Sequence, residues 1–168
     1  HLLRLVFDHL RLLDGQCVLR IRRPLETAHH APALAARGRD QRALPEALER
    51  RRSQGGVVNV WSAGCSSGEE PYSIVMLALE AGLVPGRDLR VYASDIAPSV
   101  LTKARRGQYR PTSFRDTPDA LRDKYFVEKD GAFRIHDEVR SCVDFIHLNL
   151  LDAAKTALLG QMDVILCR

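Results

Sequence analysis

The 168-residue sequence is short of several things, and each shortage narrows its chemistry. It has no CxxC pair, and Cys17, Cys65, Cys142 and Cys167 lie far apart, which argues against a zinc cluster or disulfide framework. Scattered thiols of this kind suit a reducing compartment, so a cytoplasmic protein is expected, with no metal. The six histidines show no HExxH spacing, and His29-His30 reads as a surface pair. No apolar run approaches the ~20 residues of a membrane span, and no secretory pattern opens the chain, so no membrane insertion is expected. Aromatic residues are only 6%, without a basic face interleaved with aromatics, which argues against a nucleic-acid partner.

Hydrophobic (45%) and charged (27%) contents are those of a soluble globular domain. The net charge of +4 is uneven: residues 1–56 hold eleven Arg, no Lys and six acids, whereas residues 57–168 are close to neutral. An arginine-rich arm can meet an acidic protein surface or nucleic acid, or be a solvated helical face. Within it, "HLLRLVFDHLRLL" has helical spacing and ends near Gly15. Residues 22–45 read as loop, and "LPEALERRRSQGG" as a helix from Pro45 to Gly55-Gly56.

After Gly56 the pattern alternates. "VVNVWSA", "LRVYASD", "CVDFIHLNLLD" and "MDVILCR" read as buried strands, with helices "PYSIVMLALEAG" and "PSVLTKARRG" between the first three. That order predicts a mostly parallel, doubly wound α/β sheet. The more polar stretch from about 109 to 139, with the helix "PDALRDKYF" and a turn at Asp130-Gly131, looks like an insertion.

The turn after the first of these strands, "SAGCSSGEEPYS", resembles a nucleotide cradle with the wrong charge. It lacks the GK[ST] of a P-loop and the GxGxxG of a dinucleotide fold, and Glu69 and Glu70 front the helix. A phosphate about 4 Å from one carboxylate would meet a repulsion of roughly 1–4 kcal/mol. S-adenosylmethionine has the opposite electrostatics: an adenosine without phosphate, a sulfonium and an ammonium group. Glu69 is expected to meet the ammonium directly, beside backbone groups at Gly64. Asp95, closing the second strand, can take the ribose hydroxyls, and Asn149 and Leu150, closing the third, can line the adenine. Each acid or amide also has a plain structural account. Glu69 or Glu70 can favour a helix start, Asp95 can cap the next helix, and Asn149 can close a turn.

"VWSAGCSSGEEPYSI", "ASDI", "ARRGQYRP", "KYF", "VDFIHLNLLD" and "DVILCR" together resemble the CheR family of chemotaxis protein-glutamate O-methyltransferases. The resemblance covers roughly residues 57–168. It implies a Rossmann-like class I methyltransferase sheet with a small inserted antiparallel subdomain at about 109–139, preceded by a helical N-terminal region over 1–56. It implies S-adenosylmethionine as methyl donor, S-adenosylhomocysteine as product, and contacts from Glu69, Asp95, Asn149-Leu150 and Arg168. The implied partners are receptor cytoplasmic helices, and the short "VEKDGAFRI" turn resembles the pentapeptide-independent type. Two other readings stand beside it: a methyltransferase for another substrate, and a non-catalytic cofactor-binding signalling module.

The sequence departs from the family in two places. Before the first strand the family carries a TxFFR-like segment; here only Thr27, the "AHH" run and Arg39-Asp40 echo it. No catalytic residue is therefore assigned, although Arg50, Arg51 and Arg52 are candidates to neighbour the site. Family members also continue beyond "CR", so about half of a seven-stranded sheet is missing. The strand "MDVILC" is then expected to leave an unpaired apolar edge, as a fragment of a longer protein or covered in an oligomer.

Overall fold

The computed structural model describes residues 17–19, 47, 49, 50, 53, 55–115 and 117–167. The expected helix at the amino terminus, the 22–45 loop, Arg51, Arg52 and Arg168 lie outside these residues. The helix expected from Pro45 is represented by Ala47, Glu49, Arg50 and Ser53, all helical.

Five strands form the main sheet in the order β1-β8-β2-β3-β7. They are β1 (Cys17–Leu19), β2 (Val58–Ala63), β3 (Leu89–Asp95), β7 (Val143–His147) and β8 (Val164–Cys167). β8, β2, β3 and β7 run parallel, the doubly wound arrangement predicted by the alternation of strands and helices. The apolar run of β2 is explained by burial on both faces: Val58, Val60, Trp61, Ala63 and even Ser62 are buried. The edge of β8 is not left unpaired, contrary to expectation. β1 lies against it antiparallel, with Cys17 opposite Cys167 and Leu19 opposite Ile165. Three residues from a segment without strand periodicity complete the backbone ladder there, a pairing that no local pattern encodes.

Helix α1 (Glu69–Glu80) follows β2 and buries Tyr72, Ile74, Val75 and Ala78 against the sheet. Helix α2 (Pro98–Arg106) follows β3, opens on a proline at its first turn and closes at Gly107, whose φ of 61° suits a residue without Cβ. The space is as demanding as the backbone there, since a Cβ on Gly107 would sit 2.4 Å from Ile135 Cγ2.

A second, three-stranded antiparallel sheet has the order β4-β6-β5. It comprises β4 (Gln108–Tyr109), β5 (Phe126–Lys129) and β6 (Ala132–Ile135), with helices α3 (Asp119–Tyr125) and α4 (Asp137–Arg140) beside them. Asp130 (φ 54°) and Gly131 (φ 72°) make the tight hairpin turn that the Asp-Gly pair predicts. Phe114, Phe126 and Phe133 pack edge-on or tilted beneath Tyr109. This small core docks on α1 through Glu80, whose carboxylate accepts from Tyr125 Oη (2.5 Å) and Lys124 Nζ (2.6 Å). Those two donors hold the Glu80 carboxyl below its ordinary range. Helix α5 (Ala153–Ala157) follows β7, capped by the Asp152 side chain, which accepts from the Lys155 amide.

Candidate functional site

Strand order reverses at β2: β3 and β7 lie on one side of it and β8 on the other. In open parallel sheets the ligand crevice lies outside the carboxyl ends of the strands at such a switch. Of the residues selected from sequence, Asp95 is the last residue of β3, and Gly64, Asn149 and Leu150 fall within three residues beyond the ends of β2 and β7.

The turn after β2 is built by alternating left-handed residues: Gly64 (φ 82°), Ser66 (φ 50°) and Gly68 (φ 92°). The amides of Gly64 and Cys65 both donate to the Ser94 carbonyl at 2.8 Å, which ties the start of the turn to β3. Ser66 is strained for a residue with a Cβ, a cost of order 1–3 kcal/mol, and its amide is rewarded by Asp95. Ser66 N donates to Asp95 Oδ2 and Ala97 N to Asp95 Oδ1, both at 2.9 Å. One half-buried carboxylate therefore pins the turns after β2 and β3 together. Asp95 is not the cap of α2, since Ala97 occupies that position and no side chain caps it.

Gly68 begins α1 and is fixed by packing as well as by φ. A Cβ there would meet Ala104 Cβ at 2.9 Å and Tyr109 Oη at 3.3 Å. Tyr109 Oη donates to the Ser67 carbonyl at 3.0 Å, so the small sheet braces the turn from behind. Burial pushes the Tyr109 phenol far above its usual range, and the Glu69 carboxylate pushes the same way.

The two acids of the turn are placed differently. Glu69 is exposed, and both its carboxylate oxygens accept from the Ser67 hydroxyl at 2.8 Å. Glu70 is half-buried and accepts from the fully buried Ser62 hydroxyl at 2.5 Å, so it is drawn back to the end of β2. Neither acid makes a side-chain cap for α1, though both stand in its first turn, where the helix dipole favours them. Cys65, buried between them and Asp95, has its thiol pushed up to about 12, by burial first and by the Asp95 charge second. It is a neutral packing residue at ordinary pH.

At the next strand end, Asn149 Oδ1 accepts from the Leu151 amide at 3.0 Å, the turn-closing role that its residue type allows. Leu150 is 42% exposed and Ile96 61% exposed. Ile96 was not singled out from sequence; an exposed apolar residue directly after a strand-end acid is the signal that could have marked it. His147 Nε2 lies 2.9 Å from the Ile96 carbonyl and braces the β3 and β7 ends together.

Arg50 lies elsewhere. Its Nη2 pairs with Asp163 Oδ1 at 3.0 Å, and Asp163 Oδ2 accepts from the Asn59 amide at 3.0 Å. Asn59 is near the start of β2, about four residues or ~13 Å from its carboxyl end. Arg50 thus reaches the amino ends of the strands, so this arginine is a structural pin and not a neighbour of the site.

A parallel sheet with a glycine-bent, acid-fronted turn at its switch point, and a second acid at the adjacent strand end, defines a Rossmann-like methyltransferase domain. The residues fit a phosphate-free nucleoside carrying positive charge, since the turn presents carboxylates where a phosphate binder presents bare amides. Comparison with known proteins gives the same class. Residues 38–168 match the family described as CheR methyltransferase, SAM binding domain. The chain is 44% identical over 147 residues to the chemotaxis protein methyltransferase of Escherichia coli, covering 84% of this chain and 46% of that protein. It is 40% identical over 120 residues to chemotaxis protein methyltransferase 2 of Vibrio cholerae, covering 70% and 42%. It is also 39% identical over 107 residues to a probable biofilm formation methyltransferase, WspC, of Pseudomonas putida, covering 64% and 25%. The chain belongs to the CheR methyltransferase family, and it spans about half the length, or less, of these curated relatives. No helix among the described residues is long and apolar enough to cross a membrane.

Proposed function

We propose that the protein containing this chain transfers a methyl group from S-adenosylmethionine to glutamate side chains of chemotaxis receptors, forming glutamyl methyl esters. The observation that carries the reading is the junction of the β2 and β3 turns on Asp95, with Glu69 and Glu70 fronting α1. S-adenosylmethionine supplies, when bound, an electrophilic methyl group on a sulfonium sulfur. Asp95 is the residue to hold the ribose hydroxyls, its orientation already fixed by the Ser66 and Ala97 amides. Gly64 lets the backbone pass close to the ligand, Glu69 and Glu70 supply the negative charge that favours an ammonium and a sulfonium, and Asn149, Leu150 and Ile96 offer a wall for the base. Arg168 belongs to this set by resemblance.

A glutamate acceptor is ionised near neutral pH, with an ordinary pKa of about 4.3, so the reaction needs no strong general base. Positioning and electrostatics are the expected sources of rate, and no catalytic residue is required among those described. The two-residue turn at Asp130-Gly131 leaves the small sheet without a long loop, which supports receptor recognition without a tethering pentapeptide. The test is transfer of labelled methyl from S-adenosylmethionine to receptor-bearing membranes by the full-length protein. The label should be released by mild base as methanol; base-stable label, or label on nucleic acid, overturns the proposal.

The match to a biofilm formation methyltransferase favours one second reading: the same chemistry on a receptor-like protein outside chemotaxis. Comparing the two membrane preparations as acceptors decides between them.

A further inference from the structure

The last residues of β3 and β7, Asp95 and His147, are partners in register, so their side chains leave the sheet on the same face. The segment after β3 is held at several points. The Asp95 carboxylate accepts from the Ser66 and Ala97 amides, and the Asp95 carbonyl accepts from the Leu148 amide at 3.1 Å. Between Asp95 and Ala97 stands Ile96, whose side chain is 61% exposed. Its carbonyl is met by His147 Nε2 at 2.9 Å. A carbonyl can only accept, so this contact sets the tautomer: Nε2 carries a proton and donates it to the bond.

A histidine at a strand end that satisfies a nearby carbonyl has a plain structural account. Two observations go beyond it. His147 is exposed, and a hydrogen bond made in competition with water adds little to the stability of a whole fold. The carbonyl it holds belongs to the exposed apolar residue next to the acid proposed for the ribose. Leu150, 42% exposed, follows three residues after His147 on the segment leading out of β7. The bond therefore ties together two turns that each present an apolar side chain at adjacent strand ends, Ile96 on one and Leu150 on the other. Fixing their separation before a ligand arrives removes an ordering cost from binding.

We propose that His147 is a positioning residue for the nucleoside half of the cofactor. By holding the Ile96 carbonyl, it sets the slot between Ile96 and Leu150 in which the base lies, and it acts through Ile96 without touching the ligand. Resting on the reading of this crevice as the S-adenosylmethionine site, the role concerns the nucleoside end alone. The amino-acid end is assigned to the turn after β2, whose anchors are Ser94, Asp95 and Tyr109.

The experiment measures binding of two ligands to the full-length protein by calorimetry. One is S-adenosylhomocysteine; the other is methylthioadenosine, which keeps the nucleoside and lacks the amino acid. His147→Ala should weaken both by the same factor, about five- to tenfold, the size expected for one lost hydrogen bond. His147→Gln, whose side-chain amide can still donate to the Ile96 carbonyl, should recover most of that loss. His147→Phe, which fills the space without a donor, should not. Glu69→Gln is the contrast: it should weaken S-adenosylhomocysteine and leave methylthioadenosine unchanged. Melting temperatures of the His147 variants should stay within a few degrees of wild type. Unchanged affinity in His147→Ala, equal losses in the Gln and Phe variants, or a loss confined to S-adenosylhomocysteine overturns the proposal. A fall in melting temperature that tracks the loss of affinity assigns His147 to structure and overturns it too. If the unaltered protein binds neither ligand, the cofactor reading itself falls; binding by the unaltered protein with no effect at His147 removes this inference alone.

Discussion

The Tyr109 phenol and the Ser67 carbonyl are joined by a 3.0 Å hydrogen bond across the boundary between the two sheets. The small antiparallel sheet is therefore part of the support for the strand-end turn. Removing the hydroxyl leaves the Ser67 carbonyl without this donor, at a cost of about 1 kcal/mol. Tyr109→Phe should keep the fold and weaken S-adenosylhomocysteine binding several-fold by calorimetry; unchanged affinity would uncouple the subdomain from the turn.

Asp95 carries two backbone hydrogen bonds, one to each carboxylate oxygen. Asp95→Ala releases both turns and removes the acid proposed for the ribose. S-adenosylhomocysteine affinity should fall at least ~tenfold, which is about 1.4 kcal/mol. Retained affinity would remove Asp95 from the site.

Glu70 is tethered to Ser62 on β2, whereas Glu69 turns to Ser67 on its own loop. Glu69→Gln should therefore weaken binding of S-adenosylmethionine more than Glu70→Gln does, since the Glu70 carboxylate is already held by Ser62. Titration of the two variants side by side ranks them; a larger effect at Glu70 would reverse the expectation that Glu69 meets the ammonium.

High pH should destabilise the fold. The Cys65 thiol is pushed up to about 12 from 9.0, mainly by burial, and burial likewise pushes the Tyr72 phenol up to about 12 from 10.0. Above pH 9 an unfolded chain begins to release protons that the folded chain keeps. The folded state then binds more protons, so stability falls as pH rises from about 9 to 12, by up to ~1.4 kcal/mol per pH unit for each group. Below pH 9 neither group contributes a slope. Thermal melts across pH 7–11 test this, and slow alkylation of Cys65 by iodoacetamide at pH 9 is the companion result.

Asp163 is 6% exposed and bridges Arg50 to the Asn59 amide at the amino ends of the strands. Asp163→Ala should cost about 2–3 kcal/mol in denaturant unfolding, as hydrogen bonds to a charged group are lost. Cofactor affinity of the remaining folded protein should not change, because the bridge lies at the opposite end of β2.

Much of the fold was legible in local pattern. The largely apolar runs at β2 and β8, the proline and glycine bounding α2, and the Asp-Gly hairpin are each short-range signals with a mechanical cause. The charge logic of the site was legible too, since two adjacent glutamates at a helix start exclude a phosphate wherever the chain goes next. β1 was not legible, because a three-residue strand carries no periodicity and is defined by its partner. The role of Arg50 was also hidden, since proximity in sequence to the first core strand does not say which end of that strand a side chain reaches.

The sequence by itself determined a parallel α/β sheet with an acid-fronted turn at Gly64–Glu70 and an acid at Asp95, because strand periodicity, glycine backbone freedom and charge are local properties. Only the tertiary structure decided that Asp95 holds the turns after β2 and β3 together, that Glu70 faces back to Ser62 while Glu69 does not, and that His147 reaches the Ile96 carbonyl. Those relations depend on how packing folds the chain back on itself, and a hydrogen bond such as that from the Ser66 amide to Asp95, 29 positions apart, leaves no trace in spacing along the chain.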